Sequence, residues 1–161
     1  MRRGLALLAG VIVVIGAGIV GGITTLSGEP NEIRVTLKPA EITAAAGDTF
    51  TVDLTIENVS LNAVNVNGIG IDKSLLDGVS VEQMDPGYRE VKGRNYPLYG
   101  NWNEYTLDRT IFGGEKLTVV ITFRAGQVGQ VSGDVTVWIQ NKIAGLTVSR
   151  ARRATLNVRI Q

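Results

Sequence analysis

The chain has 161 residues, 16 basic and 15 acidic, and contains neither histidine nor cysteine. That absence removes the commonest general base, the commonest transition-metal ligand, the thiol nucleophile and every disulfide at once, so no cofactor, metal site or familiar nucleophilic triad is expected. A formal net charge of +1 leaves no basic stripe of the kind a nucleic acid requires.

Arg2 and Arg3 precede an uncharged run from Gly4 to Ile23, GLALLAGVIVVIGAGIVGGI. A helix rises about 1.5 Å per residue, so a run of this length just crosses the ~30 Å hydrocarbon core. Residues 1–28 are therefore expected to form one transmembrane α-helix, a single-pass signal-anchor. The flanking arginines hold the N-terminus in the cytoplasm and place residues 29–161 outside it. A cleaved signal peptide is the alternative. Its apolar core usually runs about 7–15 residues, and no small-residue cleavage site follows this longer one. A type IV pilin would carry a glutamate near the start of the run, and none lies there. Gly18 and Gly22 form a GxxxG pair, and Ala17 and Gly21 a second small-residue pair, a spacing that lets two helix backbones approach closely. The competing explanation is the ordinary glycine content of membrane helices.

Removing Arg2 and Arg3 from the 16 basic residues leaves 14 against 15 acidic ones, so the exterior part is close to neutral. It is long enough for one domain, residues 29–161, and without disulfides its stability must come from an apolar core. Ser27 to Glu32 (SGEPNE) reads as a short polar linker. Beyond it the pattern has period two, the signature of half-buried strands. Strands are predicted at Ile33–Leu37, at Phe50–Glu57 and at Ala63–Ile71, the last two separated by an Asn58–Asn62 turn. Pro39 and the Ala44–Asp48 stretch punctuate the first gap. Asp72–Gly78 reads as one helical turn, capped by Asp72 and ended by Gly78. A short strand follows at Val79–Met84. Residues 85–104, with Pro86-Gly87, Lys92-Gly93, Pro97 and Gly100, are less regular. Strands resume at Tyr105–Leu107, Leu117–Arg124, Val131–Ile139, Leu146–Val148 and Ala154–Ile160, with turns at Gly113-Gly114 and between Gly126 and Gly129. Seven to nine short strands and no long amphipathic helix predict an all-β fold, an antiparallel two-sheet sandwich, with a barrel as the alternative.

Gly47-Asp-Thr-Phe-Thr-Val-Asp-Leu-Thr-Ile-Glu-Asn resembles the opening strand of prokaryotic extracytoplasmic immunoglobulin-like domains. Ile111-Phe-Gly-Gly-Glu-Lys-Leu-Thr-Val-Val-Ile-Thr-Phe-Arg-Ala, followed by Gly129 and Ser132-Gly-Asp-Val-Thr-Val, is similar to their P-G-E, strand, G-x-y-x-G, strand hairpin, with Gly113 in place of the proline. Adhesion-type (CARDB-like) and cohesin-like domains share this grammar, which spans about residues 33–160 here. The resemblance implies an immunoglobulin-like β-sandwich used as an adhesive, scaffold or accessory module. No dockerin-like sequence is present, and no binding residues carry over.

Three clusters stand out. Tyr88, Tyr96, Tyr99, Trp102 and Tyr105 lie within residues 88–105, interleaved with Arg89, Arg94, Asn95, Asn101 and Asn103. Flat rings beside amides and guanidiniums suit a glycan or peptide ligand, since they join apolar faces to hydrogen-bonding groups. The alternative is a long connection whose rings pack over a sheet edge or a sandwich end. Asp72, Asp77 and Asp85 are near one another in sequence, but without an EF-hand pattern no calcium site is expected. Arg150, Arg152 and Arg153 would either touch anionic headgroups or a cell-wall polymer, or form a solvated hairpin turn. The expected function is thus non-catalytic: a membrane-anchored cell-envelope protein, in contact with membrane lipid, that presents its domain for protein–protein interaction as an accessory subunit or adhesion module. A glycan- or peptide-binding module built on residues 88–105 is the alternative.

Overall fold

The computed structural model describes residues 29–96, 100–143 and 146–161. The expected membrane helix, including Ala17, Gly18, Gly21 and Gly22, lies outside the described residues. Among the described residues no helix is long and apolar enough to cross a membrane.

Ten strands and one short helix follow each other along the chain: β1 (Ile33–Lys38), β2 (Glu41–Ala44), β3 (Thr49–Asn58), β4 (Val64–Asp72), α1 (Lys73–Leu76), β5 (Val79–Asp85), β6 (Val91–Tyr96), β7 (Gly100–Ile111), β8 (Lys116–Ala125), β9 (Gly129–Ile143) and β10 (Leu146–Ile160). They make a four-stranded sheet, β1-β3-β8-β5, and a six-stranded sheet, β2-β10-β9-β4-β7-β6. The domain is an immunoglobulin-like β-sandwich. Its strand neighbours match those of a variable-type immunoglobulin domain, in which sheet ABED faces sheet GFCC′C″. The chain path differs: β5, in the D position, comes before the edge pair β6–β7 rather than after it.

Three details correct the sequence expectation. The described residues hold ten strands rather than seven to nine, because the irregular stretch 85–104 contains β6 and the start of β7, and because β2 is a separate strand. The sandwich is not wholly antiparallel, since β2 runs parallel to β10, pairing Asn157 with Glu41 through Ile160 with Ala44. The strands around Gly126 and Gly129 are not a hairpin. β8 lies in the small sheet and β9 in the large one, so that connection crosses between layers.

Alternation sends one side chain in two to the core. Val52, Leu54 and Ile56 of β3 meet Val119, Ile121 and Phe123 of β8, and Val135, Val137 and Ile139 of β9 face them from the other sheet; all are buried. Full burial of such a side chain is worth about 1.5–3 kcal/mol. In β4 the apolar phase slips, from Val64 and Val66 to Ile69 and Ile71. A bulge between Val66 and Gly68 absorbs the slip, so both pairs stay inside. β5 does the same between Val81 and Gln83. Asp72 takes the N-cap position of α1 without a side-chain cap bond; its carboxylate instead accepts the Asp134 N–H at 3.2 Å.

One end of the sandwich is organised by Asn58, which is fully buried. Its amide nitrogen donates to the Asn62 carbonyl at 2.7 Å and to the Ile111 carbonyl at 3.0 Å. Its side-chain oxygen accepts from the Ser60 N–H at 3.0 Å and the Ser60 hydroxyl at 2.8 Å. The β3–β4 and β7–β8 connections are thereby locked together. Gly113 sits where a Cβ would come within 2.7 Å of the Ser60 carbonyl oxygen, which gives a physical reason for the missing proline at that position.

Candidate functional site

The aromatic stretch does not form one surface. Trp102 and Tyr105 stand three residues apart on β7, and alternation sends them to opposite faces. Tyr105 joins the core. Exposed Tyr88 meets it edge to face, with centroids 5.0 Å apart and planes at 78°. Burial pushes the Tyr105 phenol above its ordinary 10.0, helped by the nearby Tyr88 and opposed by the Asn103 side chain. Tyr96 ends β6, opposite Gly100. Tyr99 lies outside the described residues. Arg94 and Glu104 pair across β6 and β7 at 2.8 Å.

Trp102 projects from the outer face of the six-stranded sheet. It stacks on Trp138 of β9, with centroids 5.7 Å apart and planes at 22°. The strand between them, β4, carries Gly70 at that point. A Cβ there would lie 2.9 Å from Trp102 Cδ1 and 3.1 Å from Trp138 Nε1, so the glycine makes the room in which the two indoles meet. The sequence reading missed Trp138. Its signal was a bulky aromatic on the outward phase of the Val135, Val137, Ile139 alternation, opposite Gly68 in the register.

The indole pair floors a groove of about 410 Å³. On one side stand Asp72, Lys73 and Asp77 at α1; on the other are Thr136 and Arg153, directly paired across β9 and β10. Lys73 Nζ meets Asp77 Oδ1 at 2.7 Å, so those charges largely cancel. Exposed Arg153 has no hydrogen bond or ion pair to another side chain among the described residues. The groove thus offers indole edges, a hydroxyl and a free guanidinium beside a rim in which Lys73 offsets Asp77 and the Asp72 carboxylate remains.

The arginine cluster divides between faces. Arg150 and Arg152 share the inward phase with Leu156 and lie directly opposite the buried Ile139 and Val137. Arg150 pairs with Glu32, and Arg152 donates to the Pro30 carbonyl at 3.1 Å. These two hold the incoming chain instead of forming a solvated turn. Arg153 alone faces outward, into the groove. Of the three acidic residues considered together in the sequence, Asp72 and Asp77 reach the groove while Asp85 ends β5. Among the described residues no group of three acidic side chains gathers as metal ligands.

No protein-family model matches the chain, and no curated protein matches it. Among solved structures it is similar to the ASH/PapD-like domain 7 of human CEP192, at 17% identity and TM-score 0.45, over 83% of this chain and 89% of that one. It is also similar to a cohesin module from a Clostridium perfringens family 33 glycoside hydrolase, at 11% identity and TM-score 0.46, over 81% of this chain and 97% of that one. Native α2-macroglobulin from Escherichia coli matches at 15% identity and TM-score 0.46, over 83% of this chain and 17% of that one. At these identities and scores none of the three assigns a role to this chain.

Proposed function

We propose that the chain is a non-catalytic, single-pass membrane protein, N-terminus in the cytoplasm, whose sandwich binds a protein partner outside it through the Trp102–Trp138 groove. The observation that carries this reading is the stacked indole pair outside the core. The pair lies on the outer face of the sheet, apart from the core between the two layers, and tryptophan and arginine dominate protein-interface energetics. The adhesion-type grammar of residues 33–160 points the same way, and the uncharged Gly4–Ile23 run supports the anchor. The lack of histidine and cysteine supports a non-catalytic role. A glycan would need open ring faces. Here each indole turns a face to the other and Trp102 is only 9% exposed, which favours a peptide segment inserting along the ring edges.

The test is crosslinking and co-purification of the full chain in mild detergent. A stoichiometric partner should be retained by the native chain. Trp138→Ala or Arg153→Ala should weaken its capture by about thirtyfold, the consequence of losing ~2 kcal/mol at an interface anchor. Arg153→Ala should leave the unfolding midpoint unchanged. Undiminished capture by both variants would refute the groove as the contact.

A further inference from the structure

Asn58 and its hydrogen bonds hold two connections at one end of the sandwich, and both connections present apolar side chains to solvent. Leu61 is 99% exposed, Phe112 60% and Val59 47%. They are neighbours in space. The Gly114 N–H donates to the Asn58 carbonyl at 2.9 Å, and Gly113 packs against Ser60 and Leu61 so closely that a Cβ there would meet the Leu61 carbonyl carbon at 3.0 Å. Scattered exposed apolar residues need no explanation, but a group gathered at one end marks a contact. The Glu115 carboxylate accepts the Phe112 N–H at 2.9 Å and is itself exposed, so it would stay on the water side of such a contact.

The same end receives the chain from its N-terminal run. β1 starts there, with Ile33 opposite Asn58, and the Val59 N–H donates to the Glu32 carbonyl at 2.8 Å. Arg150 and Arg152 clamp Glu32 and the Pro30 carbonyl, so the path is fixed from Pro30 onward. Between the apolar run and this clamp only Thr24 to Glu29 remain, a reach of at most about 20 Å even when fully extended. The β9–β10 hairpin also projects at this end. Its ladder continues past the last β4 pairing, Asn65 with Gln140, to Ile143 opposite Leu146.

We infer that this end of the sandwich is a lipid-contacting face, with Leu61, Phe112 and Val59 seated at the headgroup–acyl boundary of the bilayer that holds the anchor. The inference rests on the anchored reading above. It adds that the domain docks on the membrane in one orientation instead of swinging freely on its linker. The short tether supplies the partner. Any surface within its reach at this end faces lipid first, and apolar side chains at such a boundary gain by leaving water.

The chain has no cysteine, so single labelled positions are clean. Full-length Leu61→Cys, Phe112→Cys and Val128→Cys would each carry an environment-sensitive fluorophore in phosphatidylcholine vesicles containing acyl-brominated phosphatidylcholine. Val128, 72% exposed in the β8–β9 connection at the opposite end, is the control. Bromolipid should quench positions 61 and 112 at least about twofold more than position 128, as expected for side chains about 5–10 Å into the interface. Equal quenching at all three, in chains that resist carbonate extraction, overturns the docking while leaving the anchor intact. Probes at 61 and 112 shielded from aqueous iodide but untouched by bromolipid would mean a protein covers the patch, which also overturns it. Extraction of the chain by carbonate would refute the anchored reading and this inference together.

Discussion

Replacing Asn58 by alanine tests whether one buried amide organises the end of the sandwich. The side chain makes two donated and two accepted hydrogen bonds while fully buried. A net ~1 kcal/mol for each bond sets a ceiling near 4 kcal/mol. The contributions are unequal. Ser60 is partly exposed, and water replaces its lost bonds at little cost. The Ser60 hydroxyl, released from Asn58, can give its one proton to the Asn62 carbonyl 3.0 Å away. The bond to the Ile111 carbonyl is buried, and a buried acceptor left without its donor costs about 1–3 kcal/mol. The expected loss is therefore about 2–4 kcal/mol, a large part of the stability of an ordinary domain. Urea titration of the detergent-solubilised chain, followed by tryptophan fluorescence, measures it. Asn58→Asp separates hydrogen bonding from lost volume. At neutral pH it aims a carboxylate oxygen at two carbonyls, so it should destabilise more than alanine. Its folded pKa would rise above the ordinary aspartate value. The aspartate deficit should therefore shrink as pH falls, because the protonated form can donate again. A loss below about 1 kcal/mol for Asn58→Ala, or an aspartate deficit that does not change with pH, would refute the network as the organising element.

Two further outcomes follow from the packing. Gly70→Val must force Trp102 and Trp138 apart, because even a Cβ stands 2.9 Å from one ring and 3.1 Å from the other. Near-ultraviolet circular dichroism should lose the stacked-indole signal, with a cost of about 1–3 kcal/mol; an unchanged spectrum would contradict the geometry. Tyr105 has its pKa raised by burial. Its stabilising contribution is complete below its ordinary 10.0 and is lost as pH rises toward the folded value, since the unfolded chain ionises first. Unfolding midpoints measured between neutral and strongly alkaline pH should fall above that point in the native chain and fall less steeply in Tyr105→Phe; parallel profiles would rule the phenol out as the cause.

Sequence periodicity located the strands that bury one face. β3 and β8 alternate without a break, and their cores were readable directly. β6 was not readable, because an edge strand with the sequence VKGRNY has no buried face to impose a period. The middle of β10 was split for a related reason. Its SRARR segment lies beside the buried Val137 and Ile139, but its inward positions carry arginines that bind Glu32 and Pro30 in place of apolar groups. Which sheet a strand joins leaves no mark on its alternation, so the crossing between β8 and β9 looked like a hairpin. The site was half legible for the same cause. Trp102 stood within a visible aromatic cluster, yet Tyr88 and Tyr105 meet on the opposite face of the sheet and Tyr99 lies outside the described residues. Its true neighbours, Trp138 and Arg153, lie far along the chain. Only the registers of β4 with β7 and β9, and of β9 with β10, bring the three together.

The two proposed contacts lie toward opposite ends of the same strand. β4 begins at Val64, beside the Asn58 network and the exposed Leu61, and ends at Asp72 on the rim of the groove. At about 3.3 Å per residue that path spans roughly 25 Å. With the apolar end seated on the bilayer, the groove stands that far above the lipid and opens sideways from the sheet face. A partner reaching it must therefore have mass outside the membrane at that height, as another anchored subunit would. The orientation also bears on affinity. A free-swinging domain would sample many headings, whereas one held by Leu61 and Phe112 keeps the Trp102–Trp138 groove at a fixed height, so less orientational freedom remains to be lost on binding. Leu61→Ser together with Phe112→Ser should then weaken partner capture without touching the groove. Such a loss, in chains that remain anchored and folded, would tie the lipid contact to recognition.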